Sequence, residues 1–219
     1  MTKLPITLHQ AALGAETFKV IRSGQPTVRA VLLDQDRYLG AYLDQDAAYQ
    51  VAGLWELAAS SPRALIHLPL RKNSMPSLEL PCTGRPLDLV LLHHSLHFAP
   101  SRWKEVRARL GPARPRTLTL PTGPHPAEDT TGLATRHHKE NRDLFHQRVH
   151  ADTLFMTGSA TLFAETARRF HDLARNGPVF APGPATYRHY CTELHSSEGL
   201  LDRRARELHI EYCDQWSAA

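Results

Sequence analysis

The chain of 219 residues carries a formal net charge of +4, with 42% hydrophobic and 22% charged residues. That length can bury a self-standing core, and the composition excludes global disorder. No run approaches the roughly 18 apolar residues of a membrane span, and basic residues are spread among acidic ones rather than gathered into a stripe.

Taken in order, Phe18–Arg22 reads as a short strand and Ser23-Gly24-Gln25-Pro26 as a turn. Thr27–Leu33 and Tyr38–Leu43 follow as strands. Leu-Asp-Gln-Asp occurs at 33–36 and again at 43–46. The two copies sit at opposite ends of one strand, on the order of 25 Å apart, too far to share an ion. The first therefore reads as a hairpin turn and the second as a helix cap. A helix over Asp46–Ser60 buries Ala47, Val51, Leu54, Trp55 and Ala58, and Ser61-Pro62 ends it. Ala64–Leu70 is a further strand of the same sheet, and the loop over 71–87 carries a short edge strand at Leu78-Glu79-Leu80. Leu87–Leu92 is an unbroken apolar run, expected to be a central strand covered on both faces. It leads through His93-His94-Ser95-Leu96-His97 to a helix capped by Ser101, with Trp103, Val106 and Leu110 inward and Gly111-Pro112 at its end. Arg116–Leu120 then returns as a strand, completing a right-handed crossover unit.

Beyond the Pro/Gly/Thr-rich stretch 121–132, spacings of three and four predict helices. Their inward residues are Phe145 and Val149; Phe163, Ala167, Phe170 and Ala174, stopped by Asn176-Gly177-Pro178; Tyr187, Cys191 and Leu194; and Leu201, Ala205, Leu208 and Tyr212. The expected class is α/β: a mixed sheet with flanking helices, an N-terminal antiparallel meander, a central βαβ-like unit and a helical C-terminal third. One domain spans 1–219, with 1–122 bearing the sheet and 133–219 packed on it as a helical part.

Fourteen histidines are the most informative compositional feature, because imidazole titrates near neutral pH and is the commonest metal ligand. Cys191-x3-His195 with His209-x3-Cys213 has the ligand types of tetrahedral zinc, but two straight helices would leave the pairs roughly 10 Å out of step. Asp143, His146 and His150 would share a helix face with Lys139, turned away from Phe145 and Val149, which reads as solvated surface; His138 falls on the buried side. Arg188/His195 and Arg204/His209 resemble the loose Arg–His spacing of helical HEPN ribonucleases, a family whose all-helical fold the strands of the first half do not share. No metal site is expected. Cys82, Cys191 and Cys213 are odd in number and read as reduced thiols.

The leading site is His93, His94 and Ser95, with His67 on the neighbouring apolar run as a possible companion. In open α/β sheets ligands gather outside the carboxyl ends of strands, and imidazoles delivered there can act as base, ligand or orienting group. No nucleophile elbow, phosphate-binding Gly-rich loop or dinucleotide fingerprint accompanies them, so reaction class and cofactor stay open. The first expectation is thus a small enzyme with a histidine-lined pocket and a small-molecule substrate. The alternative is a non-catalytic module, immunity or regulatory in kind, binding a protein partner. Nucleic acid, held weakly through charge, ranks third. The start Met1-Thr2-Lys3-Leu4-Pro5 lacks the apolar segment of a secretory signal, so a cytoplasmic location and no membrane partner are expected.

Overall fold

The computed structural model describes residues 2–77, 83–120, 136, 140–180 and 190–216. The edge strand expected at Leu78-Glu79-Leu80, and Cys82, His138, Lys139, Tyr187 and Arg188, lie outside the described residues. The fold is α/β, with mixed sheets flanked by helices, and no helix among the described residues is long and apolar enough to cross a membrane.

The first strands are β1 (Thr2–Leu13), β2 (Glu16–Ser23), β3 (Ala30–Asp34) and β4 (Leu39–Leu43). Helix α1 (Gln45–Ser60) follows, then β5 (Ala64–Leu68), β6 (Arg85–Pro86) and β7 (Asp88–His93). Helix α2 (Trp103–Ala108) and β8 (Arg114–Leu120) come next, then β9 (His146–His150) and β10 (Thr153–Gly158). The long helix α3 (Ala160–Phe180) precedes β11 (Cys191–Leu194) and β12 (Leu208–Tyr212). A seven-stranded sheet has the order β8-β1-β2-β5-β7-β10-β9, and a five-stranded sheet has the order β11-β12-β4-β3-β6.

Two local expectations are met in atomic detail. Asp44 caps α1, its Oδ1 accepting from the Ala47 amide at 2.8 Å. The segment 34–38 turns a hairpin, with Asp36 at φ 62° and the Asp34 carboxylate accepting from the Asp36 amide. Strand β7 is buried from Asp88 to Leu92, as its apolar run implies.

Several expectations are overturned. The N-terminal meander is split: β1 and β2 belong to the large sheet, β3 and β4 to the small one, and Ala64–Leu68 joins the former. Strand β8 does not sit beside β7; it pairs antiparallel with β1 at the far edge, so β7, α2 and β8 form no crossover unit. The partner parallel to β7 is β10. Among the described residues the C-terminal third holds one long helix and four strands, because β9, β11 and β12 replace the helices expected at Phe145/Val149, Cys191/Leu194 and Leu201–Tyr212. An i, i+4 apolar pair satisfies the helical period and two strand alternations equally well. In Leu208-His209-Ile210-Glu211-Tyr212 the deciding signal is strict alternation of buried and half-buried residues.

Helix α3 also runs through Asn176-Gly177-Pro178 rather than stopping there. Pro178 has no amide to offer the Ala174 carbonyl, and that carbonyl instead accepts from Gln45 Nε2 at 3.0 Å. Gly177 lets the Tyr212 ring lie directly on the helix backbone. The paired helices α1 and α3 are joined through Trp55, whose ring centroid lies 4.7 Å from Phe170, 5.8 Å from Phe163 and 6.4 Å from Phe145. Its Nε1 donates to Thr166 Oγ1 at 2.8 Å, so the large ring is buried without an unsatisfied donor.

The main core fills the space between helices and sheets, with Leu89 and Leu91 of β7 in it. Val90 and Leu92 point to the opposite face, where Trp103 and Val106 of α2 cover them.

At the end of β10, Gly158 is pressed against Phe145; a Cβ there would lie 2.5 Å from the ring. Phe145 is itself fully buried and packed on Phe163, so it has little room to give. Gly158→Ala is expected to cost about 1–3 kcal/mol through overpacking. Chemical denaturation should show a lower midpoint at an unchanged slope, whereas an unchanged midpoint would mean that Phe145 repacks freely.

Candidate functional site

The register of β7 separates the residues that the sequence grouped. His67 of β5 lies opposite Val90, while Leu65 lies opposite Leu92. His67 therefore faces α2, and His93, following Leu89 and Leu91, falls on the face of α3. Three residues of strand, about 10 Å, also separate them along β7. His93, His94 and Ser95 remain together at one end; His67 joins a different cluster at the other.

The carboxyl end of β7 adjoins that of β10, with His93 in register with Gly158. Helix α2 follows β7 on one face of the sheet and α3 follows β10 on the other. Neighbouring parallel strands whose following helices go to opposite faces define a topological switch point, where a crevice opens at the strand ends. His93 and Ser159 flank it.

In the turn His94–Leu96, the Nδ1 of His93 accepts from the Ser95 amide at 3.2 Å, and the Ser95 hydroxyl lies 2.7 Å from the same nitrogen. An amide can only donate, so the neutral ring carries its proton on Nε2. Partial burial and the adjacent His94 hold the His93 pKa below its ordinary value, opposed by the negative charge of Asp143. The His94 ring lies 4.2 Å away, centroid to centroid. Ser159 caps α3: its Oγ accepts from the Leu162 amide at 3.1 Å and donates to Asp143 Oδ2 at 3.0 Å. The sequence points to Asp143 only beside His146 and His150, as a helix face that reads as solvated surface, and does not point to Ser159. The signal was the Thr157-Gly158-Ser159 break, a small-residue turn from strand to helix with a hydroxyl at the cap.

A second His-x-Ser turn has the same local geometry. His195 Nδ1 accepts from the Ser197 amide at 3.0 Å, with Ser197 Oγ at 2.5 Å, and Gly199 closes the turn at φ 66° as His97 does at φ 48°. The His–Ser contact is thus a property of the turn. What differs is Nε2: that of His195 meets Glu207 Oε1 at 2.6 Å, while that of His93 has no protein partner among the described residues.

At the opposite end of β7, Asp88 and His67 are 5% and 1% exposed. Asp88 Oδ1 accepts from the Arg71 amide at 3.0 Å, and Arg107 Nη1 donates to Oδ2 at 3.3 Å. Arg22 Nε donates to His67 Nδ1 at 2.9 Å. Burial outweighs the attraction of Asp88 and keeps the His67 pKa below its ordinary value. For Asp88, burial pushes upward, but the His67 and Arg71 contacts outweigh it and hold the carboxyl below the usual range.

Other candidates disperse. Asp143 lies in a loop, and His146 and His150 lie on β9, where His146 Nδ1 pairs with Asp202 at 2.7 Å. Cys191, His195, His209 and Cys213 lie on or beside an antiparallel hairpin rather than on two helices, with Cys191 opposite Glu211 and Glu193 opposite His209. Cys213 is buried and directs its Sγ to the Gln215 carbonyl. Among the described residues no group of three or more His, Cys, Asp or Glu is arranged to hold a metal. An apolar void of about 20 Å³ beside Trp55, Leu89 and Phe170 lies in the core and has almost no polar lining to orient a ligand.

His209 is gripped by two carboxylates: Glu193 Oε1 at 2.9 Å from Nδ1 and Glu211 Oε2 at 3.5 Å from Nε2. Glu211 first, then Glu193, raises its pKa against the opposing effect of burial. The ordinary value is 6.5, so the stabilisation is fully present below about pH 6.5 and is lost as pH rises through the folded-state value. The melting-temperature advantage of the wild type over His209→Gln should shrink on titration from acid to alkaline buffer. A difference independent of pH would exclude the charge-based contribution.

Compared with known proteins, the chain matches no family model, no curated protein and no solved structure.

Proposed function

We propose that the protein is a small enzyme acting at the carboxyl ends of β7 and β10, on a substrate oxygen that gains negative charge during reaction. The observation that carries this reading is the switch point, with His93 on one side and the amino terminus of α3 on the other. The outward Nε2–H of His93 is a donor, and the amides of Ala160 and Thr161, which open α3, have no acceptor among the described residues. Donors preset around a developing oxyanion are worth more than donors that must reorganise, and the helix dipole adds to them. The neutral state of His93 suits hydrogen-bond donation to a carbonyl or carboxylate oxygen rather than ion pairing. His94 is the second imidazole within reach for proton transfer, and Ser95 holds the His93 tautomer. Acyl transfer and proton abstraction beside a carbonyl are the two reaction types this donor set favours.

A ligand-observed NMR screen of small carbonyl and carboxylate compounds, followed by amide-shift mapping, tests the reading. Bound compounds should perturb His93–Ser95 and Ser159–Thr161. His93→Gln should lower turnover of an identified substrate by about a hundredfold while stability stays within about 1 kcal/mol. Full activity in His93→Gln, His94→Gln and the double variant would sink the site.

A further inference from the structure

The amino end of β7 holds more donors than its carboxylates can use. Arg22 is half-buried, and among the described residues its only acceptor is the neutral imidazole of His67, 2.9 Å from Nε. A guanidinium can only donate, so His67 Nδ1 accepts and the ring proton sits on Nε2. That Nε2–H is buried with no hydrogen-bond partner, facing Asp88 Oδ2 from 4.0 Å, beyond hydrogen-bond reach. The same oxygen has Arg107 Nη1 at 3.3 Å and Arg71 Nε at 3.9 Å. One buried carboxylate oxygen is therefore faced by three donor groups, of which only Arg107 lies within hydrogen-bond distance. The second carboxylate nearby, Asp152, is shared between Arg71 Nη1 at 3.0 Å and Arg85 Nη1 at 3.6 Å. Burying an imidazole N–H without a partner costs about 1–3 kcal/mol, and a half-buried guanidinium without a carboxylate is costlier still. Arg71 and Arg107 each reach a carboxylate, but Arg22 meets only an imidazole and the His67 Nε2–H meets no acceptor.

The donor groups around Asp88 come from four separate segments: Arg22 from β2, His67 from β5, Arg71 from the loop beyond β5, and Arg107 from α2. Asp88 and His67 are buried, while Arg71 and Arg107 are partly exposed. A planar carboxylate is matched by one guanidinium fork, whereas donors arriving from different directions suit an oxyanion with oxygens in three dimensions.

We infer that the Arg22–Arg71–Arg107 basin over His67 and Asp88 is a binding site for a tetrahedral oxyanion, the phosphoryl group of a small molecule or free phosphate. The guanidinium groups of Arg22, Arg71 and Arg107 take its oxygens, and His67 acts as a positioning residue that holds Arg22 in place. Asp88 fixes the Arg71 loop through its amide and keeps the basin selective for ligands that several arginines engage at once. Along β7 the site lies about 10 Å (His67) to about 17 Å (Asp88) from His93, with His67 on the other face of the sheet, so it is separate from the proposed catalytic end.

Titration of the full ¹⁵N-labelled chain with inorganic phosphate tests this, read on the Nε–H signals of Arg22, Arg71 and Arg107 and on the amides of Arg71 and Asp88. Saturable shifts at those signals are expected, with affinity weakened about tenfold in Arg107→Gln and in Arg22→Gln, each losing one charge-assisted contact. Gln at position 22 keeps a donor for His67, and Arg107 is partly exposed, so both variants can be compared as folded proteins by amide-shift dispersion. Absence of saturable shifts, shifts confined to Ser159–Thr161, or unchanged affinity in both variants would overturn the inference. Acetate binding as tightly as phosphate would overturn the tetrahedral assignment, whereas a bound phosphate monoester competing with free phosphate would support it.

Discussion

The constraint on which the rest depends is that β7 is dry on both faces. From Leu89 to Leu92 its side chains alternate between the helix-packed core and the layer under α2, and all are buried. An unpaired polar group inserted there would cost roughly 2–7 kcal/mol, so the polar residues of the strand gather at its ends. Asp88 and His93 mark those ends, and the sheet order decides what each meets. Strand β5 runs antiparallel to β7 and parallel to β2, so the carboxyl ends of β2 and β5 deliver Arg22 and His67 to Asp88. Strand β10 runs parallel to β7, so its carboxyl end delivers Gly158 and Ser159 to His93.

The helix pair makes the second arrangement rigid. Trp55 on α1 contacts Phe163 and Phe170 on α3 as well as Phe145 before β9, and its indole donates to Thr166. Thr166 Oγ1 in turn donates to the Leu162 carbonyl at 2.6 Å, tying the tryptophan to the first turns of α3. Those turns carry the capped amino terminus beside β7. Catalytic geometry tolerates little play, and groups on packed elements are held more tightly than groups on loops. Ser159 inherits that support directly; His93, at the end of a buried strand, inherits it through β7.

Sequence legibility followed the uniqueness of the periodic signal. Asp44, the α1 stripe from Ala47 to Ala58 and the run Leu87–Leu92 each have one physical interpretation, and each stands in the structure. The strand β1 went unread although Leu4, Ile6 and Leu8 alternate with Pro5, Thr7 and His9; Leu4 and Ile6 are buried, and Leu8 is partly so. The strands β9 and β12 were read as helices because apolar residues four apart fit both periods. The site divides in the same way. That His93, His94 and Ser95 end a central strand follows from local order, but the face of His67 follows from pairing register, which depends on contacts distant in sequence. Arg22 and Asp88 came together for the same reason, and no local spacing announces a contact between β2 and β7.

The two His-x-Ser turns show where chemistry departs from motif. In both, an amide and a hydroxyl at i+2 cap Nδ1, and a left-handed residue closes the turn. Short-range sequence is sufficient for that much, and it fixes the same tautomer twice. Tertiary structure then separates them: the residue entering β12, Glu207, lies against His195 Nε2 and takes up the outward N–H in a partly exposed contact. At His93 the neighbouring strand instead ends in Gly158, whose missing side chain leaves room for Phe145 below and places the α3 terminus alongside. One turn is closed by its partner and the other is left with a free donor beside a helix terminus. What the fold places against Nε2 therefore distinguishes the two turns, and of the pair only the His93 turn keeps an outward N–H without a protein partner among the described residues.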